Sequence, residues 1–170
     1  MILQGGIRNE QDGDADAIRQ VHLQAFGGDV EARIVDLLRD RGHAVISLVH
    51  SIDDDIVGHV VFSPVSVAEA AAGFRALGLG PVGVLPACQR KGIGSALIRK
   101  GLQQCDAAGY DAVVLLGAPA YYSRFGFKPA RAFGLENEWG FGDEFMVLRL
   151  REGALDEVQG LVRYGDEFRQ

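Results

Sequence analysis

The chain has 170 residues, of which 48% are hydrophobic and 24% charged, a balance typical of one ordinary soluble α/β domain. No apolar stretch reaches the roughly 20 residues that a bilayer-spanning helix needs, so the sequence predicts no membrane partner. The formal net charge of −6 argues against a nucleic acid held by a general basic field and is mildly compatible with a cationic substrate such as an amine.

The cysteines and the first residues of the chain favour the cytoplasm. Cys88 and Cys105 are too few for a disulfide framework, and neither has a Cys or His neighbour at metal-ligand spacing. We therefore expect reduced thiols and no metal. The opening residues, Met-Ile-Leu-Gln-Gly-Gly, lack the basic and apolar regions of a secretory signal, which predicts a cytoplasmic protein.

The first part of the chain predicts a strand, two helices and a hairpin. In chain order these are a strand over 2–8, a helix ending at Gly27, a helix over 31–41, and strands over 44–50 and 56–67 around the turn at 53–55. Asp14 is placed to cap the first helix by accepting backbone N–H groups. The second helix is amphipathic, with Ile34 and Leu38 on its apolar face.

The middle of the chain predicts a β-loop-α-β crossover. A third strand of the meander covers 74–84, a helix follows over 93–106, and an apolar strand covers 111–116. Because a helix precedes it, the strand over 111–116 can lie parallel to the strand over 74–84. Pro81 and the glycines around it cannot form an ordinary central strand, so we expect a bulge there that splays the two parallel strands.

The last part of the chain is less regular. We expect a short helix over 119–125, final strands over 127–133 and 144–150, and a glycine-rich connection between those strands. The last twenty residues predict only a short helix and an extended tail. No linker is visible, so the prediction is one domain over 1–170, with 151–170 as a C-terminal extension packed on it.

The junction at 85–94, Leu-Pro-Ala-Cys-Gln-Arg-Lys-Gly-Ile-Gly, favours an anion cradle. Glycines at the start of a helix let the backbone approach a phosphate, where free N–H groups and the helix dipole would stabilise negative charge. The chain does not match two other phosphate-binding motifs. A dinucleotide-binding turn needs a third glycine where Leu97 stands, and a Walker loop needs a lysine before Ser95.

Two ordered motifs make the chain resemble the GNAT superfamily of N-acetyltransferases. The pattern Arg/Gln-x-x-Gly-x-Gly/Ala is matched by Gln89-Arg-Lys-Gly-Ile-Gly94, and a Tyr-x-x-x-Gly-Phe element is matched by Tyr122-Ser-Arg-Phe-Gly-Phe127. The likeness covers roughly residues 1–150, and the run around Tyr122 resembles small bacterial members. It implies an α/β (α+β) fold, with a mixed, mostly antiparallel sheet that is splayed at a central parallel pair and flanked by helices.

The resemblance also implies acetyl-coenzyme A as the cosubstrate, with no metal. The implied cofactor-binding residues are Val82, Gly83, Val84, Gln89, Arg90, Lys91, Gly92, Ile93, Gly94 and Ser95. The backbone amides of 90–95 would hold the diphosphate, and β-strand backbone at 82–84 would pair with the pantetheine arm. The Val84 N–H is the best candidate to polarise the thioester carbonyl.

The catalytic side chains are less clearly defined by the sequence. Tyr122, which matches the family tyrosine, is expected to protonate the leaving thiolate. Some family members carry a glutamate on the strand equivalent to 74–84, but this chain has no carboxylate there. Glu31 is the first candidate for the general base. By strand alternation, His59 and Ser63 share one face and could line the acceptor pocket.

These features predict an N-acetyltransferase that moves the acetyl group of acetyl-CoA to a primary amine by direct attack in a ternary complex. The alternative is a non-catalytic acyl-CoA-binding sensor or regulatory module. The absence of a carboxylate from the strand over 74–84 supports this alternative. We expect a small-molecule or peptide amine as acceptor. A homodimer is left open.

Overall fold

The structure, a computed structural model, describes residues 5–170. The start of the strand predicted over 2–8 therefore lies outside the described residues. The helices are α1 Ala15–Phe26, α2 Val30–Asp40, α3 Ile93–Ala107 and α4 Pro119–Tyr122. The strands are β1 Gly5–Asn9, β2 Ile46–Ile52, β3 Asp55–Glu69, β4 Ala76–Val84, β5 Ala112–Leu116, β6 Lys128–Pro129, β7 Leu135–Asn137, β8 Phe145–Arg149 and β9 Gln159–Tyr164.

The described chain forms two compact units. The first holds the described residues up to Ser63, Gly80–Gln103 and Glu167–Gln170, and the second holds Pro64–Leu79 and Gln104–Asp166. The strands pair in the order β1-β2-β3-β4-β5-β8-β6, and β9 pairs with both β3 and β7. The predicted class, a mixed and mostly antiparallel sheet with one central parallel pair and flanking helices, is confirmed. The single-domain organisation stays a prediction.

In the first unit, β3 presents different residues to the helices on its two faces. Val61 joins the buried cluster formed with Ile18 of α1, with Ile34, Val35 and Leu38 of α2, and with Val49 of β2. On the opposite face, the ring of Phe62 lies directly against Gly101 of α3. Because neighbouring side chains of a strand point to opposite faces, His59 and Ser63 lie on the same face of β3 as Val61, towards α1 and α2.

The predicted cap at Asp14 is correct in position but wrong in its partners. Asp14 occupies the N-cap of α1, yet its carboxylate bonds no helix amide. It accepts hydrogen bonds from Arg8 at 2.6 Å and 3.1 Å and from the Gln11 N–H at 2.7 Å. A guanidinium that meets both carboxylate oxygens forms stronger, charge-assisted bonds than a neutral helix amide does.

The predicted hairpin forms, and its turn works without glycine. β2 and β3 pair antiparallel from Ile46–Phe62 to Ile52–Asp55. Asp53 and Asp54 adopt positive φ values of 50° and 70°. Aspartate tolerates the left-handed region better than most residues, because its short polar side chain can bond locally.

In the second unit, β5 lies between β4 and β8. It pairs in parallel with β4 from Ala76–Ala112 to Gly78–Val114 and antiparallel with all of β8. The parallel ladder ends at Gly78, although β5 continues to Leu116. The crossover is thus confirmed, and the ladder stops two residues before Gly80, where the sequence predicts the bulge.

Two predictions for the last part of the chain are wrong. The strand expected over 127–133 is only the two-residue β6, followed by a 3-10 turn over Ala130–Phe133. Pro129 explains this, because it has no N–H to continue a ladder. The last twenty residues hold a true strand, β9, which pairs antiparallel with β3 and parallel with β7. Neither β7 nor β9 was predicted, since both are short and lack clear alternation.

Candidate active site

The loop between β4 and α3 is fixed by backbone and side-chain hydrogen bonds. The Leu85 N–H donates to the Val57 carbonyl of β3 at 2.8 Å, and the Cys88 N–H closes a tight turn onto the Leu85 carbonyl at 2.8 Å. The side-chain amide of Gln89 donates to the Val84 carbonyl at 3.0 Å. Gln89 therefore holds the loop against the end of β4, which gives the first residue of the glycine motif a structural role.

The start of α3 follows an exposed loop. The Ala96 N–H donates to the Gly92 carbonyl at 3.0 Å, so the first-turn amides of Ile93 and Gly94 have no intrahelical acceptor. Gly92 has φ +83°, and Arg90 has φ +62° despite its side chain. Residues 89–92 are all exposed. Amides without an intrahelical acceptor, the positive end of a helix dipole and two exposed cations are typical of an anion-binding site.

The end of β4 lies beside α1. Gly83 is buried, whereas Val82 and Val84 are partly exposed. A Cβ atom at position 83 would lie 2.9 Å from Nδ1 of His22 and 3.5 Å from Cβ of Ala25. Only glycine therefore fits at this position, because any side chain would displace the His22 ring. His22 was not predicted as a functional residue.

Tyr122 belongs to the second unit, at the end of α4. Its ring packs over Gly117 and contacts Phe125 and Phe127, with ring centroids 6.1 Å and 6.2 Å away. Burial, followed by the neighbouring Tyr121, raises the pKa of Tyr122 to about 12. The phenol therefore keeps its proton throughout the neutral pH range, as a general acid must before it donates.

Glu31 lies in the first turn of α2 and is partly buried. In the described part of the chain, no hydrogen bond or ion pair joins it to another predicted site residue. Its position also suits the positive end of the α2 dipole. The catalytic role of Glu31 stays a prediction, whereas its place in the first turn of α2 suits a helix-stabilising role.

His59 and Ser63 share the face of β3 that the sequence predicts, and both are buried. The Nδ1 atom of His59 lies 2.8 Å from Nε2 of His22, and its Nε2 atom lies 2.7 Å from Oγ of Ser47. The Ser63 hydroxyl has no hydrogen-bond partner among residues 5–170. Both ring nitrogens of His59 are thus occupied by protein groups, so His59 does not reach an acceptor directly in this structure.

The buried pair of histidines continues into a chain of polar contacts. Ser47 donates its hydroxyl to the carboxylate of Glu10, and Glu10 in turn accepts a hydrogen bond from Arg39. Burial lowers the pKa of His22 to about 4 and holds that of His59 well below its ordinary value. Both rings are therefore neutral near pH 7.

A signal for this network was present in the sequence. His22 stands four residues after Ile18, on the buried face of α1. A polar residue on an apolar helix face needs a partner. The sequence does not show which one, because Glu10, Ser47 and His59 lie on separate elements.

Within residues 5–170, no group of three or more His, Cys, Asp or Glu side chains could hold a metal ion. In the same residues, no helix is both long and apolar enough to cross a bilayer.

Comparison with known proteins decides the family. Residues 6–130 match the family model described as an acetyltransferase (GNAT) domain. The chain belongs to the GNAT acetyltransferase family. The motifs at Gln89–Gly94 and at Tyr122–Phe127 therefore identified the correct family from sequence.

The GNAT relatives resemble this chain over nearly its whole length. The N-acetyltransferase YhbS of Escherichia coli strain K12 is 38% identical over 164 residues, which cover 95% of this chain and 97% of YhbS. The crystal structure of E. coli YhbS in complex with CoA has a TM-score of 0.93 and 36% identity, covering 100% of this chain and 94% of that one. A GNAT acetyltransferase from Brucella melitensis, in complex with acetyl-CoA, has a TM-score of 0.82 and 40% identity, covering 98% and 99%.

Proposed function

We propose that this GNAT chain transfers the acetyl group of acetyl-CoA to a primary amine, and that the amine attacks the thioester directly in a ternary complex. One observation carries the proposal. The exposed loop at 89–92 leads into the first turn of α3, where backbone amides without intrahelical acceptors favour an anion, and two relatives with the same fold were crystallised with CoA or acetyl-CoA.

The cradle suits a diphosphate. The amides of Gly92, Ile93 and Gly94 stand at the helix start, where several donors can converge on closely spaced oxygens. Arg90 and Lys91 are exposed and add positive charge within reach of the phosphates. Ser95 completes the first turn of α3. We assign the backbone of Val82–Val84 to the pantetheine arm, in the manner of a strand added to a sheet edge.

The chemistry of acyl transfer needs a stabilised oxyanion and a protonated leaving group. We assign the Val84 N–H to the thioester oxygen, where negative charge develops as the amine attacks. We assign Tyr122 as the general acid that protonates the CoA thiolate, because it stands at the position of the family tyrosine and its phenol carries a proton at neutral pH. Direct attack requires no protein nucleophile, and Cys88 serves as none.

The acceptor side is defined more coarsely. Glu31 is the sequence-based candidate for the general base, and His59 with Ser63 for the acceptor pocket. The acceptor class is a small-molecule or peptide amine, in a cytoplasmic setting and with a homodimer as one arrangement. No nucleic acid or membrane surface takes part in the proposed reaction.

The deciding experiment measures release of free CoA thiol from acetyl-CoA across a library of amines, with calorimetry for cofactor binding. We expect micromolar-range binding of acetyl-CoA and turnover with at least one amine class. Binding without turnover for every amine, and the same result for Tyr122→Phe, would favour the acyl-CoA sensor. Absence of binding would overturn both functions.

A further inference from the structure

We propose that His22 accepts the proton released by the acceptor amine, and that His59, Ser47 and Glu10 carry this proton towards solvent. The proposal rests on the acetyl transfer proposed above. It supplies the general base that the sequence of β4 lacks, and it does so from a continuous set of contacts in the first unit.

The contacts fix the direction of the chain of hydrogen bonds. The Glu10 carboxylate accepts from Arg39 and from the Ser47 hydroxyl. Because Ser47 donates its single proton to Glu10, its oxygen must accept from Nε2–H of His59, 2.7 Å away. A neutral His59 then has a bare Nδ1, which accepts from Nε2–H of His22 at 2.8 Å.

This order leaves Nδ1 of His22 as an unprotonated acceptor. The atom is buried and has no hydrogen-bond partner among the described residues, which is rare for a buried polar atom and calls for an explanation. It faces Gly83, one residue before the Val84 N–H assigned to the thioester. A base therefore stands next to the strand on which the reacting carbonyl is expected to lie.

The position of His22 also gives it a route to substrate. The exposed ring of Phe26, at the end of α1, stacks on His22 with centroids 6.0 Å apart and planes 7° apart. The His22 ring thus lies one side-chain layer below the surface. In the proposed reaction, the amine meets Nδ1, whose lone pair lies in the ring plane on the Gly83 side, directly or through one bridging water.

The proton steps balance. As the N–C bond forms, one proton moves from the amine nitrogen to Nδ1 of His22, and the His22 Nε2 proton moves to Nδ1 of His59. The His59 Nε2 proton moves to Oγ of Ser47, and the Ser47 hydroxyl proton moves to Glu10. The thioester C–S bond breaks with its electron pair on sulfur. Each ring stays neutral, each hydrogen bond reverses direction, and Glu10, with 14% of its side chain exposed, returns the proton to solvent.

The groups around His22 favour transfer of the proton to Glu10 over a lasting positive charge on the His22 ring. The charged groups around the two rings are Asp36 and Arg39 of α2, Asp14 before α1 and Glu10 after β1. Burial is the main cause that disfavours an imidazolium at His22, and Arg39 acts in the same direction. A proton taken up at His22 is therefore unstable there and passes to the carboxylate.

The sharpest test compares Ser47→Ala with Ser47→Thr in the amine acetylation assay. We expect kcat to fall at least about 10-fold in the alanine variant and to stay near wild type in the threonine variant, which keeps the hydroxyl. The dissociation constant for acetyl-CoA and the melting temperature should match between the two. Equal kcat values for alanine, threonine and wild type overturn the relay.

Three further variants distinguish a residue that acts as the general base from a residue that only supports the structure. His22→Gln keeps a donor towards His59 but has no base, so kcat should fall about 100-fold or more. His50→Gln, a histidine of β2 outside the network, should leave kcat unchanged. Glu31→Gln tests the competing candidate for the base, and a loss of kcat there with an active His22→Gln assigns the base to Glu31 and overturns the proposal.

A readout without turnover comes from long-range nitrogen-15 NMR of the histidine rings. We expect His22 and His59 to be neutral and protonated at Nε2 near pH 7. A proton on Nδ1 of His22 contradicts the relay even if the enzyme is active. An active wild type with the wrong tautomer thus removes the relay alone, whereas a wild type inactive towards all amines removes the acetyl transfer and the relay together.

Discussion

At the scale of single residues, burial shifts the ordinary chemistry of two candidate groups, one in each compact unit. Tyr122 holds its proton more firmly than a free phenol, and His22 binds a proton less readily than a free imidazole. The cradle residues Arg90 and Lys91, by contrast, stand in solvent. In the proposed reaction, the binding charge therefore lies in solvent, whereas each proton-transfer group lies in a buried setting where a lower dielectric strengthens its contacts.

Tyr122→Phe tests the general acid. We expect kcat to fall about 100-fold, because the thiolate must then leave without protonation, while the dissociation constant of acetyl-CoA stays the same. Steady-state kinetics and calorimetry measure the two quantities. The matched control is Tyr121→Phe, the neighbouring tyrosine treated as packing, which should keep its kcat. Equal losses in both variants would argue for a packing role of this aromatic cluster.

Lys91→Glu tests the cradle. Reversing the charge beside the expected diphosphate should raise the dissociation constant of acetyl-CoA about 10-fold at low salt. Lys100→Glu makes the same change on the exposed face of α3 and should alter binding little. Calorimetry at two salt concentrations checks both variants. Similar weakening by the two substitutions would mean that only net charge matters.

At the scale of elements, the contact between β3 and α3 depends on a glycine. A Cβ atom at Gly101 would lie 2.3 Å from Cε2 and 2.5 Å from Cζ of Phe62, and Phe62 is fully buried. The helix gains about 1 kcal/mol in propensity from Gly→Ala, but overpacking in a core typically costs about 1–3 kcal/mol. The severe overlap here makes the steric loss the larger effect.

We therefore expect Gly101→Ala to lower the free energy of unfolding by about 2 kcal/mol, measured by urea titration. Adding Phe62→Leu should make the loss smaller than the sum of the two single changes, because the shorter side chain vacates the overlap. Gly6→Ala in β1, where a Cβ meets nothing within 4 Å, serves as control. Strict additivity would show that the Phe62 ring is not the obstacle.

The elements that the sequence predicted well are those with a strong local signal. The period of Ile34 and Leu38 defined α2 within one residue, and the motif around Gly92 defined the start of α3. The strand β9 was not predicted, because its own sequence lacks a clear alternation of apolar and polar residues. It is a strand because it pairs with β3 and β7. The polar network of His22, His59, Ser47 and Glu10 was not predicted for a similar reason. Its members come from separate elements and meet only after β1, α1, β2 and β3 have packed.

At the scale of the whole molecule, acid should affect the two compact units differently. The protein's four histidines are all in the first unit. Burial depresses the folded-state pKa of His22 and His59, so their stability contribution is complete above the unfolded value of 6.5 and is lost as pH falls towards about 4. In the second unit, burial tends to raise the pKa of Asp111, but bonds from the Arg75 N–H and from Arg151 outweigh it and lower the pKa below 3.8. The stability that ionised Asp111 contributes to the second unit therefore persists until the pH falls below 3.8.

Hydrogen exchange at pH 7 and pH 5, corrected for intrinsic rates, tests this difference. Protection in β1 and β2 should fall by about 1–2 kcal/mol at pH 5, whereas protection in β5 and β8 should change little. A His22→Gln variant should show a smaller fall in the first unit. The idea fails if both units lose protection equally between these two pH values.

The double pairing of β9 bears on how far this protein can be shortened. The match to the family ends at residue 130, yet Val65 and Val67 of β3 pair with Tyr164 and Val162 near the chain's far end. A truncation after residue 130 would remove β9 from its edge of β3. The backbone amides and carbonyls along that edge would then be unpaired and could bond to other polypeptides. Such a fragment should self-associate, so fusion partners are better joined after the final residue than in place of the tail.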